Sequence, residues 1–482
     1  MIALVMVLLA VQDDWAPASS AFTEALTRGD TKKLEGAIVR VAREHSGRAA
    51  KLLIKGLATP DDRHYWMIIG GLSELRSAAA MDVIVDEILS RGLVTLRRDL
   101  MMALQLSQES SAEAGLVRVL KEGSPDLQIV AADELAQRGR RDAIPVLIGL
   151  LDKRGADLDE LKRQALRALR GLTKRDFGPR GADWKAWWEK EKESFRVGEP
   201  EKRGPGETVA ETLRRGRATE YEDLKKGRKE EILVVAGLYD EVQSVLTKMS
   251  IPHAVVTKDK FAQAELEKAN VLLVNCDNWA AATFDARQAA RIRAFVAGGG
   301  YLFTSDWGIK DALLAAFPGY IKAGEMIKPE GPALTVDIFA HRGMTGHAFL
   351  REVFIKMAKE GGEGRESATR TREKLAFQWI IDPGTYPIVY DPAKVVPLVE
   401  GPELKEYGPT AVAVTFLFGA TPEEERRFVS TGGVYEDIAK RKAGKVLHVL
   451  SHFRAQKTKD DDYAVQNMLL NFLIEARDRK RD

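Results

Sequence analysis

The sequence predicts two unlike parts in one chain: an all-α helical repeat region over residues 20–195, then an α/β domain with a doubly wound parallel sheet over residues 231–478. Three observations predict it. Apolar residues recur at intervals of three and four as far as about Phe195. Turns near Asp61, Val94, Asp126 and Asp157 divide that stretch almost evenly, and each gap holds two short helices. Beyond residue 231, short apolar strand runs alternate with helical patterns.

Composition narrows the function classes. With 482 residues, 45% hydrophobic and 30% charged, the chain is long enough for two or three packed domains and too apolar to be disordered. A net charge of +2 argues against affinity won by neutralising phosphates, so no nucleic-acid partner is expected. Cys276 is the sole cysteine, which excludes an intrachain disulfide and any cysteine-rich zinc or iron–sulfur centre. Neither a G-x-G-x-x-G nor a P-loop motif occurs, and no cofactor is assigned.

The first element is the apolar run Met1–Val11, ended by Gln12, Asp13 and Asp14. It is too short to span a bilayer, and no later window is long and apolar enough, so no membrane span is expected. The run fits the apolar part of a secretory signal, with a small-residue cleavage site at Ala16-Pro17-Ala18. Residues 1–18 are therefore expected to be a signal peptide and the protein periplasmic or extracellular. No basic residue precedes the run, and the competing reading is a buried N-terminal helix in a cytoplasmic protein.

Helical patterns follow: Leu52, Leu53 and Leu57; Trp66, Ile69 and Leu72; Val83, Ile84 and Ile88; Leu96, Leu100 and Leu104; Leu116, Val117 and Leu120. Residues 125–152 and 159–172 resemble HEAT repeats. Asp126 is expected to cap a helix, Gly139–Asp142 to make the turn, and Pro145 to open the next helix. That resemblance implies a curved array that either contacts a protein partner or spaces and orients the second domain. Arg138, Arg140, Arg141, Arg163, Arg167 and Arg170 gather near its end, with Asp133, Glu134, Asp152 and Glu160 among them, as on solvated helix faces. Trp184 and Trp188, one turn apart beside Trp187, are expected to cap the open end. Residues 196–230 carry charges of both signs and two prolines, and read as a solvated linker in which 207–226 can form a surface helix.

In the α/β domain the expected strands are Ile232–Val235, Ala254–Val256, Val271–Val274 and Tyr301–Phe303, with later runs at Leu334–Val336, Ala376–Ile381, Val395–Val399 and Val412–Phe416. Residues 357–373 are polar and read as an excursion, and Pro383-Gly384 as a turn. In a doubly wound sheet the ligand crevice lies at the carboxyl ends of the strands. Those ends are Ala236–Tyr239, Asn275-Cys276-Asp277-Asn278 and Thr304-Ser305-Asp306-Trp307-Gly308.

The segment 264–308, with its helix ending in glycines, strand and sharp turn, resembles the class I glutamine amidotransferase-like superfamily, and within it the trehalose-utilisation-type branch. Gly444–Phe453 (GKVLHVLSHF) resembles the late strand that delivers that family's histidine. The resemblance implies a flavodoxin-like fold and places Ser305 or Asp306 where the amidotransferases carry a cysteine nucleophile. It places His452 at their histidine, but Arg454-Ala455-Gln456 follow where an acidic partner is expected. Glutaminase chemistry is thus not expected.

Other constellations are weaker. Ser305 lacks the glycines of a G-x-S-x-G elbow and is expected to cap the helix starting near Trp307. Cys276 reads as a small buried hydrophobe. His341 and His347 fall on a loop, while His448 and His452 on one strand would lie about 13 Å apart, too far for one metal. Asp460-Asp461-Asp462 reads as a helix cap, though it could reach Asp277 or Asp306. Trp307 and Trp379 can border a pocket or belong to the core. No metal site is assigned.

The expected function is a non-catalytic binding or scaffold protein. Its array meets a protein partner, and its second domain holds a small polar ligand through Asn275, Asp277, Asn278, Ser305, Asp306, Trp307 and His452. The alternative is a hydrolase of a sugar or other small polar substrate using Ser305, Asp306 and His452. The enzyme needs His452 within reach of Ser305 or Asp306 and facing an open pocket; a buried His452 favours binding.

Overall fold

The computed structural model describes residues 15–155, 158–197, 208–277, 284–328, 330–354, 377–433, 443–453, 456 and 459–478. Residues 1–14 of the expected signal peptide, the excursion at 357–373 and Asn278 lie outside the described residues. No described helix is long and apolar enough to cross a membrane.

Helices fill the N-terminal part: α1 (Trp15–Arg28), α2 (Thr31–Ala42), α3 (Gly47–Gly56), α4 (Asp62–Ser73), α5 (Ala78–Leu89), α6 (Val94–Leu106), α7 (Ser110–Glu122), α8 (Pro125–Gln137), α9 (Ile144–Leu151), α10 (Asp159–Thr173) and α11 (Gly181–Glu191). Asp30, Ser46, Asp61 and Ser77 each accept the backbone N–H three residues on, so α2 to α5 start where a short polar side chain satisfies an orphan donor. From α2 to α8, helices two apart in sequence pack together: α2 on α4, α3 on α5, α4 on α6, α5 on α7, and α6 on α8.

Two local expectations need correction. Asp126 does not cap α8. Pro125 occupies the first turn, which makes Ser124 the cap residue, and Asp126 instead accepts from the Ser124 hydroxyl and from Arg98 Nε at 3.1 Å. At the end of the helical part, Trp184 and Trp187 are the buried pair, and Trp188 is half-buried. They form an aromatic cluster with Phe177 and Phe195, anchored by Trp184 Nε1 donating to Gly178 O at 2.8 Å.

The stretch read as a solvated linker is folded over much of its length. α12 (Val209–Gly216) begins with a Thr208–Glu211 capping box, and α13 (Ala218–Lys225) follows. Leu213, Tyr221 and Leu224 are buried, and so is Arg217, whose guanidinium donates to Asn467 and Asn471. Specific polar partners far along the chain offset the charge that made this segment look soluble.

The C-terminal part is α/β: β1 (Ile232–Val235), α14 (Val242–Lys248), β2 (Ala254–Val256), β3 (Val271–Val274), α15 (Ala286–Ala297), β4 (Tyr301–Ser305), β5 (Ile321–Ala323), β6 (Leu334–Ala340), β7 (Phe377–Ile381), β8 (Ile388–Tyr390), β9 (Val395–Glu400), β10 (Ala411–Phe418), α16 (Pro422–Ser430), β11 (Gly444–Val449) and α17 (Lys459–Asp478). Nine strands form one sheet in the order β2-β1-β3-β4-β11-β10-β9-β6-β7, and β5 pairs with β8 apart from it. The sheet is mixed rather than parallel throughout. The five strands from β2 to β11 are parallel, and from β11 through β7 every pairing is antiparallel. Between β9 and β10 only residues 401–410 intervene, too few for the crossover a parallel neighbour needs.

The two parts are joined by polar contacts through α4, α6, α8 and α10. Arg63 pairs with Asp337 and Glu403, and Arg342 with Asp62. Asp99, fully buried on α6, accepts from Gly343 N at 2.8 Å, Thr345 Oγ1 at 3.1 Å and Tyr65 Oη at 2.9 Å. Arg351 bridges Asp133 and Glu220, each at 2.7 Å.

Candidate functional site

In the sheet order β1-β3-β4-β11, four parallel strands release their chains at one edge. Asn275-Cys276-Asp277 leave β3, Asp306 leaves β4, and Leu450-Ser451-His452 leave β11. Asp306 sits at φ +36, in the left-handed region that few non-glycine residues occupy, and its N–H donates to Val449 O at 2.8 Å. The chain then folds back so closely that a Cβ on Gly308 would meet Thr304 Cβ at 2.7 Å. Asp306 thus stands at a strained, sharp strand-to-helix bend, as sites of function often do.

His452 faces this bend. Its Nε2 lies 3.2 Å from Asp306 Oδ2, and Nδ1–H donates to Asp382 Oδ2 at 2.7 Å. The absence of an acid shortly after His452 therefore does not leave the ring unsupported. Asp382 follows β7 and fixes the tautomer from another strand. Burial pushes the His452 pKa down, but the contacts to Asp306 and Asp382 outweigh it and hold the ring well above the ordinary range, as an imidazolium. Cys276 Sγ is 3.6 Å from Asp306 Oδ2, and burial, with the Asp306 charge, pushes its thiol up to about 12. The thiol is protonated at neutral pH and is no nucleophile in that form.

Behind this group, Asp240 is fully buried, with Oδ1 accepting from Glu241 N at 2.8 Å and Phe453 N at 3.2 Å. Burial raises its pKa. Ser305 is fully buried and accepts from Cys276 N at 3.3 Å; it links adjacent strands and does not cap the helix that starts beyond Gly308.

The remaining expected ligand residues have other duties. Asn275 ties α14 to β3, accepting from Val242 N at 3.3 Å and donating to Gln243 Oε1 at 2.7 Å. Asp277 pairs with Lys258 at 3.3 Å, which also pairs with Asp311 at 3.4 Å. Burial lifts Asp311 to about 6. Trp307 packs edge-on against Tyr386 at 5.1 Å between ring centroids, while Trp379 is wholly core. His448 is buried against Thr304 Oγ1 at 2.8 Å, and burial lowers it to about 4. His341 pairs with Glu400 at 2.8 Å, and His347 is buried and accepts from Phe349 N. Asp461 accepts from Gln378 N, and Asp462 from Gln466, so neither is turned to Asp306.

The structure thus brings together Asp306 and His452, which the sequence singled out, with Cys276, Asp382 and Asp240, which it did not assign to a site. Asp382 precedes the Pro383-Gly384 turn, a visible signal for a bend but not for a partner. Donor atoms of Cys276, Asp306 and His452 all lie within 4.8 Å of one another, close enough to share a cation. No model of a known protein family matches this chain, and a search of the curated proteins finds no match.

Proposed function

We propose that the protein binds and does not transform its ligand. The helical part, read as a HEAT-like array, orients the α/β part and offers its remaining surface to a protein partner. The α/β part, read as a flavodoxin-like, class I glutamine amidotransferase-like module, takes a small polar or ionic ligand at the strand ends. One observation carries this reading: His452 is buried between two carboxylates, at 3.2 Å and 2.7 Å. A protonated ring in that position is not a free base, and Asp306 beside it is not a free nucleophile. Asp306 Oδ1, buried without a hydrogen-bond partner, adds unmet polar capacity that a bound group can satisfy. Thermal denaturation of the full chain against sugars, polyols, small carboxylates and divalent cations tests it. A ligand should raise the midpoint of the native protein by mass action and lose that effect in Asp306→Asn.

The hydrolase reading is supported by the strained backbone of Asp306 and by Asp382, which gives His452 the acidic partner a catalytic histidine uses. Turnover of a sugar ester or glycoside that disappears in both Asp306→Ala and His452→Ala would establish it in place of binding.

A further inference from the structure

We infer that Cys276, Asp306 and His452 form a binding site for a divalent transition cation of the zinc class. This deepens the binding reading above and rests on it. Geometry is the first support. Zinc bonds of about 2.3 Å to sulfur and about 2.0–2.1 Å to nitrogen and oxygen, at tetrahedral angles, set sulfur and oxygen about 3.5 Å apart. The same bonds set nitrogen and oxygen about 3.3 Å apart. The observed separations are 3.6 Å for Cys276 Sγ and Asp306 Oδ2, and 3.2 Å for His452 Nε2 and Asp306 Oδ2.

The second support is unmet bonding. Asp306 Oδ1 is buried beside this group without a hydrogen-bond partner, so the carboxylate keeps acceptor capacity that a cation can take up. The outer contact fits as well. Asp382 accepts from Nδ1–H at 2.7 Å, the carboxylate–histidine arrangement that leaves the Nε2 lone pair for a metal.

Charge and donor type select the cation. A thiolate and a carboxylate neutralise a divalent ion in this buried setting, with His452 neutral. Sulfur and imidazole nitrogen favour zinc-like ions and disfavour magnesium and calcium, which prefer oxygen. Three protein donors leave a fourth tetrahedral position for water or for an oxygen of the small polar ligand. Binding must displace the proton on His452 Nε2 and the proton on Cys276 Sγ.

The test uses the full chain under reducing conditions with Co²⁺ and Zn²⁺ alone as probes. Expected are about one Co²⁺ per chain with a sulfur-to-cobalt charge-transfer band, and displacement of the Co²⁺ by Zn²⁺. Cys276→Ser should abolish the band, and Asp382→Asn should weaken Zn²⁺ binding by about 10–100-fold. The band and its loss on adding Zn²⁺ are read on the native protein, so a variant that misfolds does not decide the matter. Bound Co²⁺ without the band, or a band that Zn²⁺ does not displace, overturns the metal site. If the metals fail while an organic ligand still stabilises the native protein but not Asp306→Asn, the binding reading survives alone. If nothing stabilises it, both fall.

Discussion

Asp382 Oδ2 stands 2.7 Å from His452 Nδ1, although the two residues are 70 positions apart and leave strands that are not neighbours in the sheet. With Asp306 on the other ring nitrogen, this contact keeps His452 protonated. A histidine whose folded pKa is raised gives stability that is fully present below its unfolded pKa of about 6.5 and lost as pH climbs through the folded value. His347 and His448, lowered by burial, act in the opposite sense, and their effect is complete by about pH 6.5. Asp382→Asn should shrink the loss above neutrality and shift it to lower pH. Urea unfolding of both proteins between pH 6 and 9 checks this; superimposable profiles would contradict it.

At Asp306 the backbone and the charge can be separated. Asn tolerates the left-handed region better than most residues, whereas Ala bears the full strain of φ +36. Both substitutions remove the carboxylate facing His452. Asp306→Ala should therefore be less stable than Asp306→Asn by about 1 kcal/mol. Equal midpoints in denaturant would show that the bend relaxes without cost.

Much of this arrangement was legible because its signals are local. Ile232–Val235, Val271–Val274 and Tyr301–Phe303 read as strands since buried parallel strands are continuous apolar runs, and the turn read near Asp61 falls where that side chain caps α4. Asp306 could be located because strand ends can be located, and His452 through the resemblance of residues 444–453 to a family's late strand. What stayed hidden depends on pairing over distance. The short connection between β9 and β10 dictates an antiparallel pair only once the two are known to be neighbours, and composition does not show that. α12 and α13 looked solvated because Arg217 finds Asn467 and Asn471 some 250 residues later. Asp382 has no local mark tying it to His452. β5 and β8, three residues each, are too short to show a period.

Asp99 makes the contact between the two parts sensitive to pH. Burial outweighs its hydrogen bonds and lifts the carboxyl to about 7. The folded state then holds this proton longer than the unfolded chain, so stability falls as pH rises from about 4 to about 7. An asparagine can reproduce the protonated form: its oxygen accepts from Gly343 N and Tyr65 Oη, and its amide donates to Thr345 Oγ1, which itself donates to Arg98 O at 3.1 Å. Asp99→Asn should gain stability on the native protein steadily across that window. Asp99→Ala, which orphans the Gly343 and Tyr65 donors, should lose about 1–3 kcal/mol. Chemical denaturation at pH 4.5 and pH 7.5 separates the two outcomes.

Arg351 is the most costly single removal expected at this junction. Its guanidinium joins Asp133 on α8 to Glu220 on α13, and all three are largely buried. Burial alone would raise Glu220, yet Arg351, Arg217 and Arg167 together bring it down to about 2. Its stabilising contribution is present above about pH 4.5 and lost as pH falls toward about 2. Arg351→Met leaves two buried carboxylates short of their shared cation and should cost about 3–5 kcal/mol near neutral pH. Hydrogen exchange should show α13 opening first, because Glu220 is the acid it contributes. Adding Asp133→Leu to Arg351→Met removes one of the two buried carboxylates, while Glu220 keeps Arg217 and Arg167, and should recover part of the loss. A double variant no more stable than Arg351→Met would mean that packing around the guanidinium stem, and not its charge, holds α13 in place.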